Sequence, residues 1–220
     1  SAYKPKHLPS YEAGNYKSDT AVIYIPDIFG FSPQAKEVCD TIGERTNFRV
    51  VALDFFNGEP FKLEWFPNPP PGKELMPWIK RFDYATFIKP AVEALVSQLK
   101  HQGQTKIYAI GNCWGARMAL NLAHDEVVTR VVCFHPSFLS DTTDVVIKAP
   151  QCMLLSQDEA PHLPIKAAIE KSEFAAQSVW EVFPTMHHGW MAARRNDTDP
   201  ENMKEFARGI DIAVKFLTQV

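Results

Sequence analysis

Cys113 is the residue whose surroundings in this sequence most clearly indicate chemistry. It is the centre of Gly111-Asn112-Cys113-Trp114-Gly115, between an apolar run typical of a strand (106–110) and a segment typical of a helix (116–123). A sharp strand-to-helix turn with glycine on both sides strains its central residue and exposes the side chain. A helix that begins beneath a thiol favours the thiolate and the oxyanion that its attack creates. The pattern predicts a nucleophilic cysteine, and an inert core cysteine is the alternative.

A thiol that attacks a carbonyl carbon needs a base, and the base needs a carboxylate on its other ring nitrogen. Asp158 and His188 each follow a predicted strand, and the order nucleophile, acid, histidine is that of hydrolases with this turn. Glu159 and His187 are the alternatives for the two roles. We favour Asp158 because a shorter carboxylate holds an imidazole more rigidly. We favour His188 because Gly189 allows a close backbone approach beside it.

Apolar runs and helical periods alternate along the chain. The predicted strands are 20–25, 48–55, 106–110, 130–134, 151–156 and 178–183, and the predicted helices are 34–45, 84–101, 116–123, 164–176 and 202–219. This order predicts a single α/β domain over residues 1–220, with a mostly parallel sheet, helices on both faces and an irregular segment at 1–17. Ligands bind at the carboxyl ends of such strands, where Asp27, Cys113, Asp158 and His188 fall.

The excursion, residues 59–77, contains six prolines and several aromatic residues. We expect it to be irregular. It forms either a lid or pocket wall or a surface loop that packs its own aromatic side chains.

Composition excludes several classes of function. A net charge of −3 over 220 residues favours neither nucleic acid nor an anionic membrane as a partner. No apolar run approaches the roughly 20 residues of a membrane span. Four cysteines without metal-type spacing and no apolar signal region in residues 1–16 predict a cytoplasmic protein without a metal or cofactor. Oligomeric state is left open.

The chain resembles the dienelactone hydrolase family, a cysteine-dependent branch of the α/β-hydrolases, and in particular its eukaryotic-type members. The resemblance extends from about residue 20 to the C-terminus. The matching segments are Pro26-Asp27-Ile28-Phe29-Gly30, residues 52–60, the Gly111–Gly115 turn, Phe134-His135-Pro136-Ser137 and His188-Gly189-Trp190. It implies an α/β-hydrolase fold, Cys113 as nucleophile, Asp158 as acid and His188 as base. The family reaction opens the lactone ring of dienelactone (carboxymethylenebutenolide) to give maleylacetate.

The resemblance also implies roles for residues around the nucleophile. The backbone N–H groups of Ile28 and Trp114 would form the oxyanion hole. The bacterial enzymes have a glutamate that pairs with the thiol at the position of Asp27, so Asp27 either switches the thiol or caps its own turn. Arginines bind the substrate carboxylate in this family, and the candidates here are Arg81 and Arg194, with Arg195 behind them.

His135 and Trp190 complete the expected substrate-binding set. Alternatively, His135 satisfies a backbone group of its loop.

Together these observations predict a cofactor-free hydrolase that opens a lactone or cleaves an ester through a thioester on Cys113. Its partner would be a small-molecule lactone or ester. The alternatives are a thioesterase or amide hydrolase, and a non-catalytic binding or thiol-sensing protein on the same fold.

Overall fold

A seven-stranded sheet lies at the centre of the computed structural model, which describes residues 8–219. Its strands are β1 (Ser10–Gly14), β2 (Thr20–Ile25), β3 (Arg49–Leu53), β4 (Lys106–Asn112), β5 (Val131–Phe134), β6 (Gln151–Ser156) and β7 (Val179–Phe183). The spatial order is β1-β3-β2-β4-β5-β6-β7, with β1 antiparallel to β3 and every other pair parallel. Strands β2, β3, β5 and β6 are buried at every residue, as expected for parallel strands covered on both faces.

Helices cover both faces of this sheet. They are α1 (Pro33–Thr46), α2 (Leu75–Ile79), α3 (Lys89–His101), α4 (Trp114–His124), α5 (Leu163–Lys171) and α6 (Pro200–Thr218). One apolar core lies beneath α1 and α6, and a second contains the buried faces of α3, α4 and α5. The α/β class and the mostly parallel sheet predicted from the sequence are therefore confirmed.

The N-terminal segment differs from the prediction. Residues 10–14 form the edge strand β1, whereas the sequence predicted an irregular segment over 1–17. Only Ala13 is buried in this strand, so its polar sequence carried no strand pattern. Pairing of its backbone with β3 holds it in place. Residues 1–7 of the predicted segment lie outside the described residues.

The helix predicted over 84–101 also begins differently. Residues Tyr84–Ile88 form a wider π-type turn, and the regular helix α3 starts at Lys89. Pro90 has no N–H to donate four residues back, and its ring would clash with that carbonyl group. A wider turn before the proline relieves both problems.

Candidate active site

The turn between β4 and α4 holds Cys113 in a strained conformation, with φ of 56° and ψ of −116°. A Cβ atom on Gly115 would lie 2.2 Å from the carbonyl oxygen of Ile25, and one on Gly111 would lie 2.2 Å from the carbonyl oxygen of Gly115. Both flanking positions therefore exclude any side chain. The Cys113 N–H donates to the carbonyl oxygen of Phe134 at 3.0 Å, which ties the turn to the end of β5.

Ser137 lies between the thiol and the imidazole. Its Oγ is 3.3 Å from Cys113 Sγ and 3.4 Å from His188 Nε2. The Ser137 N–H donates to the Cys113 carbonyl oxygen at 3.1 Å, so the loop after β5 is fixed on the turn. The structure thus brings Cys113 and His188 together. The alternative base, His187, instead places Nε2 2.9 Å from the carbonyl oxygen of Arg194.

The carboxylate that faces the imidazole is Glu159, not Asp158. Glu159 Oε1 lies 2.5 Å from His188 Nδ1, and its side chain is 4% exposed. The Asp158 carboxylate accepts a hydrogen bond from the backbone N–H of His188 at 2.8 Å. The prediction that Asp158 holds the ring is therefore wrong. The prediction assumed that the longer Glu159 side chain would be too flexible to hold the ring. The N–H and the hydroxyl of Ser156, at the end of β6, both donate to the Glu159 carboxylate and fix it in place.

The partners of His188 favour its charged form. Burial disfavours a charge on the ring, but hydrogen bonds and charge from Cys113 and Glu159 outweigh burial and raise the pKa of His188 to about 10. An imidazolium beside a thiol is an arrangement that favours nucleophilic chemistry at sulfur.

Asp27 is buried where β2 ends. Its carboxylate accepts hydrogen bonds from the N–H groups of Phe29 at 2.8 Å and Ala193 at 3.4 Å, so it links two loops at the carboxyl edge of the sheet. Burial raises its pKa to about 6, against the opposing effects of those two N–H groups and of His188. Asp27 therefore caps its own turn, one of the two roles expected for it. It also lines the cavity above Cys113, so its role in switching the thiol stays a proposal.

The expected oxyanion donors lie at the same edge. Trp114 is the first residue of α4, so its N–H has no partner inside the helix. Within residues 8–219, neither this N–H nor that of Ile28 donates to a protein acceptor. Two backbone donors near the thiol are therefore available to an oxyanion.

A cavity of about 370 Å³ opens over Cys113, with Asp27, Ser137, His188 and Arg194 among its lining residues. The excursion, residues 59–77, contributes Leu63, Phe66 and Leu75 to the wall. The excursion is therefore a pocket wall, one of the two roles expected for it. The cavity lies within the size range of small-molecule sites.

The three candidate arginines occupy different surroundings. Arg194 lines the cavity, and its guanidinium forms no ion pair or hydrogen bond with residues 8–219. Arg81 lies over the Trp78 and Phe82 rings and is not part of the lining of the cavity above Cys113.

Arg195 is buried and pairs with Glu37 at 2.5 Å and Asp197 at 2.6 Å, which explains it as a structural residue. Its guanidinium also lies over the Phe206 ring of α6, 4.2 Å from the ring centroid.

Two further predictions of substrate contact are wrong. Trp190 is fully buried in the core beneath α6, 4.4 Å from the Phe183 ring, so it packs instead of binding substrate. His135 is also fully buried, with its ring centroid 4.9 Å from that of His188. Burial and the neighbouring His188 keep its pKa well below the ordinary value, so a neutral ring packs behind the candidate base. Its ring nitrogens have no partner among the described residues, so it does not satisfy a loop backbone group either.

Sequence reasoning missed Ser137 and ranked Glu159 second. A signal for Glu159 was present in the sequence. Ser156-x-x-Glu159 has the spacing of a capping box, in which a serine and a glutamate three residues later form hydrogen bonds with each other's backbone at the start of a helix. Ser137 stood in a matched segment, but no local pattern shows that a hydroxyl after β5 will reach a thiol after β4.

Comparison with known proteins agrees with this architecture. The family model described as "Dienelactone hydrolase family" matches residues 8–220. The chain belongs to the dienelactone hydrolase family. An uncharacterized AIM2 family protein of Schizosaccharomyces pombe is 33% identical over 218 residues, covering 97% of this chain and 88% of the relative. A carboxymethylenebutenolidase homolog of Xenopus tropicalis is 26% identical over 216 residues, covering 90% and 81%.

Solved structures support the fold of this dienelactone hydrolase family member. The crystal structure of dienelactone hydrolase from Anabaena variabilis superposes with a TM-score of 0.66 at 15% identity, covering 99% of this chain and 93% of that chain. The resemblance and the α/β-hydrolase fold are therefore confirmed. No helix within residues 8–219 is long and apolar enough to cross a membrane. The same residues contain no group of three or more His, Cys, Asp or Glu able to hold a metal ion.

The first prediction separates Glu159 from Asp158. Glu159→Gln removes the negative charge that faces His188 Nδ1 and should lower the pKa of His188 by at least about one unit. Asp158→Asn keeps an acceptor for the backbone N–H of His188 and should change that pKa much less. NMR titration of the His188 ring nitrogens measures both. A larger fall in Asp158→Asn than in Glu159→Gln would contradict the assignment.

The second prediction concerns Asp27. Because burial raises its pKa from 3.8 to about 6, Asp27 stabilises the fold below about pH 4, and that contribution is lost as the pH rises through 6. In Asp27→Asn the unfolding free energy, relative to the native sequence, should therefore rise by up to about 3 kcal/mol between pH 4 and pH 7. Urea unfolding across this range measures the difference.

Asp83→Asn is the matched control for this prediction. The pKa of Asp83 is lowered by hydrogen bonds from Thr86, so its contribution to stability is present above its unfolded pKa and lost in acid. The Asp83 variant should therefore show a change of opposite sign. Equal differences at pH 4 and pH 7 for Asp27→Asn would rule out burial of its charge as the cause.

Proposed function

We propose that the chain is a cysteine hydrolase that opens lactones or cleaves carboxylic esters. The observation that carries the proposal is the continuous line of contacts from Glu159 through His188 and Ser137 to Cys113 at the base of the cavity. Cys113 is the nucleophile, His188 the base and Glu159 the carboxylate that orients the imidazole. Membership of a hydrolase family supports this chemistry.

In the first step the Cys113 thiolate attacks the carbonyl carbon of the substrate. The carbonyl electrons move to the oxygen, where the N–H groups of Ile28 and Trp114 stabilise the negative charge. The bond to the leaving oxygen then breaks, and the His188 imidazolium gives its proton to that oxygen. An ester loses its alcohol, and a lactone ring opens while its acyl group stays on sulfur.

In the second step water hydrolyses the thioester. Neutral His188 takes a proton from water, and the resulting hydroxide adds to the thioester carbonyl carbon. The bond from carbon to sulfur breaks, the carboxylic acid leaves, and the thiolate with its imidazolium partner is restored. Glu159 keeps Nε2 directed at the thiol in both steps.

Ser137 is a positioning residue in this mechanism. Its hydroxyl can donate to one of its two neighbours while accepting from the other, so it fixes the distance between thiol and ring.

Arg194 supplies the feature of the cavity that would select a carboxylate. Among the described residues it has no ion-pair partner, and the stem of its side chain lies against Gly189, where a Cβ atom would approach it to 3.0 Å. The absence of a side chain at Gly189 thus lets Arg194 pack across the loop that carries His188. A relative named as a carboxymethylenebutenolidase homolog supports a lactone that bears a carboxylate as the substrate class.

The third prediction tests the nucleophile. Incubation with p-nitrophenyl acetate should add the mass of one acetyl group at Cys113, and Cys113→Ala should lower kcat by at least about 10³-fold, because the thioester cannot form. Rapid quenching and intact-mass spectrometry detect the adduct. Cys39→Ala is the control, since burial raises the pKa of that thiol and keeps it neutral.

Two results would contradict the proposed function. Full hydrolysis by Cys113→Ala would exclude the thioester. Alkylation at Cys113 with no turnover of any lactone, ester, thioester or amide would instead identify a thiol-dependent binding protein.

The fourth prediction tests substrate charge. Arg194→Gln should raise KM for mono-p-nitrophenyl succinate about tenfold and leave KM for p-nitrophenyl acetate unchanged, because only the first ester carries a carboxylate. Arg81→Gln should change neither, since Arg81 lies outside the cavity lining. Equal changes for both esters in Arg194→Gln would show a structural role.

A further inference from the structure

Three large apolar side chains lie exposed at the mouth of the cavity above Cys113. Leu63 is 52% exposed, and Phe66 and Phe138 are each 46% exposed. Single exposed apolar residues are common on protein surfaces, but a group of them around a cavity marks a binding surface. We call these three residues the apolar rim.

The first part of the apolar rim, Leu63 and Phe66, comes from the excursion, in which Phe66 is held by aromatic contacts. The Phe66 ring packs against Phe61, with ring centroids 5.3 Å apart, and meets Phe29 edge-on at 6.3 Å. Phe61 is buried, and its N–H donates to the Ile28 carbonyl oxygen at 2.9 Å. The excursion is thus attached to the loop that carries one expected oxyanion donor.

The second part, Phe138, is held in a strained backbone conformation. Its φ is +60°, a left-handed value that is an outlier for a bulky residue. Folding gains little from this ring, because nearly half of it is exposed. The neighbouring Ser137 contacts the thiol, and Phe138 lines the same cavity as Cys113 and His188.

We infer that the apolar rim binds an apolar arm of the substrate, a hydrocarbon or aryl group attached to the ester whose carbonyl carbon reaches Cys113. The inference rests on the proposed function, since it names the substrate class of the same site. The arm is the occupant that fits, because Leu63, Phe66 and Phe138 line the same cavity as Cys113. A cavity of about 370 Å³ also has room for more than a small lactone ring.

The test uses alkylation of Cys113, which needs no turnover. Iodoacetamide, N-butyl iodoacetamide and N-hexyl iodoacetamide share one reactive carbon and differ only in their apolar arm. In the native sequence the second-order rate should rise about two- to fourfold per methylene that reaches the rim. Leu63→Ser and Phe138→Asn should each lower the ratio of the hexyl to the parent rate about fivefold or more, because each removes apolar surface that the hexyl arm would contact.

The variants are chosen to separate the rim from the fold. Asparagine tolerates positive φ, so Phe138→Asn removes the ring without adding strain. Leu163→Ser is the matched control, because Leu163 is 63% exposed and lies outside the cavity lining. A rate ratio that is the same in the native sequence, both rim variants and the control would overturn the inference.

Hydrolysis of p-nitrophenyl acetate, butyrate and hexanoate separates this inference from the proposed function. Turnover with no preference for longer acyl chains, together with alkylation ratios that are the same in all variants, would overturn the inference that the apolar rim binds substrate. The proposed hydrolase function would stand. A hexyl-to-parent alkylation ratio that falls in the rim variants, without hydrolysis of any ester, would support binding of an apolar arm at the rim and overturn the proposed hydrolase function.

Discussion

The close approach of α4 to the end of β2 is the constraint on which the site depends. Gly115 lies against the carbonyl oxygens of Ile25 and Pro26 with no room for a Cβ atom, and Gly111 lies against Gly115 in the same way. Parallel pairing of β4 with β2 and β5 positions the turn at the carboxyl ends of these strands. The hydrogen bond from the Cys113 N–H to the Phe134 carbonyl oxygen ties the turn to the end of β5. The thiol is therefore positioned by backbone packing, and its partners are carried to it by the neighbouring strand ends.

Burial then sets the charges around the thiol. Burial disfavours a charge on the His188 ring, but Cys113 and the nearly inaccessible Glu159 outweigh burial and raise the pKa of His188 to about 10. His135 is fully buried and has no carboxylate partner among the described residues, so burial keeps its pKa well below the ordinary value and the ring remains neutral. Asp27, buried with only backbone donors, holds its proton up to a pH of about 6. Three groups at one sheet edge thus take different protonation states because their partners differ.

The elements that carry the site could be predicted because strand ends and glycine patterns are local. Cys113 and His188 followed from such patterns, and the structure brings them to one cavity. The choice between Asp158 and Glu159 did not follow, since it depends on how Ser156 bends the chain after β6. Trp190 was misread because an aromatic residue beside a candidate base looks the same in sequence whether it faces the cavity or the core.

The contacts of Cys113 also bear on how such a site can change over evolution. The strained turn is maintained by main-chain hydrogen bonds and by the two glycines, whereas the thiol interacts with the side chains of Ser137 and His188, which lie outside the turn. The fold therefore specifies the place of the proposed nucleophile more strongly than it specifies sulfur. A lineage with this backbone could exchange a thiol for a hydroxyl at position 113 without rebuilding its core, so the identity of the proposed attacking atom is one of the more easily altered properties of this architecture.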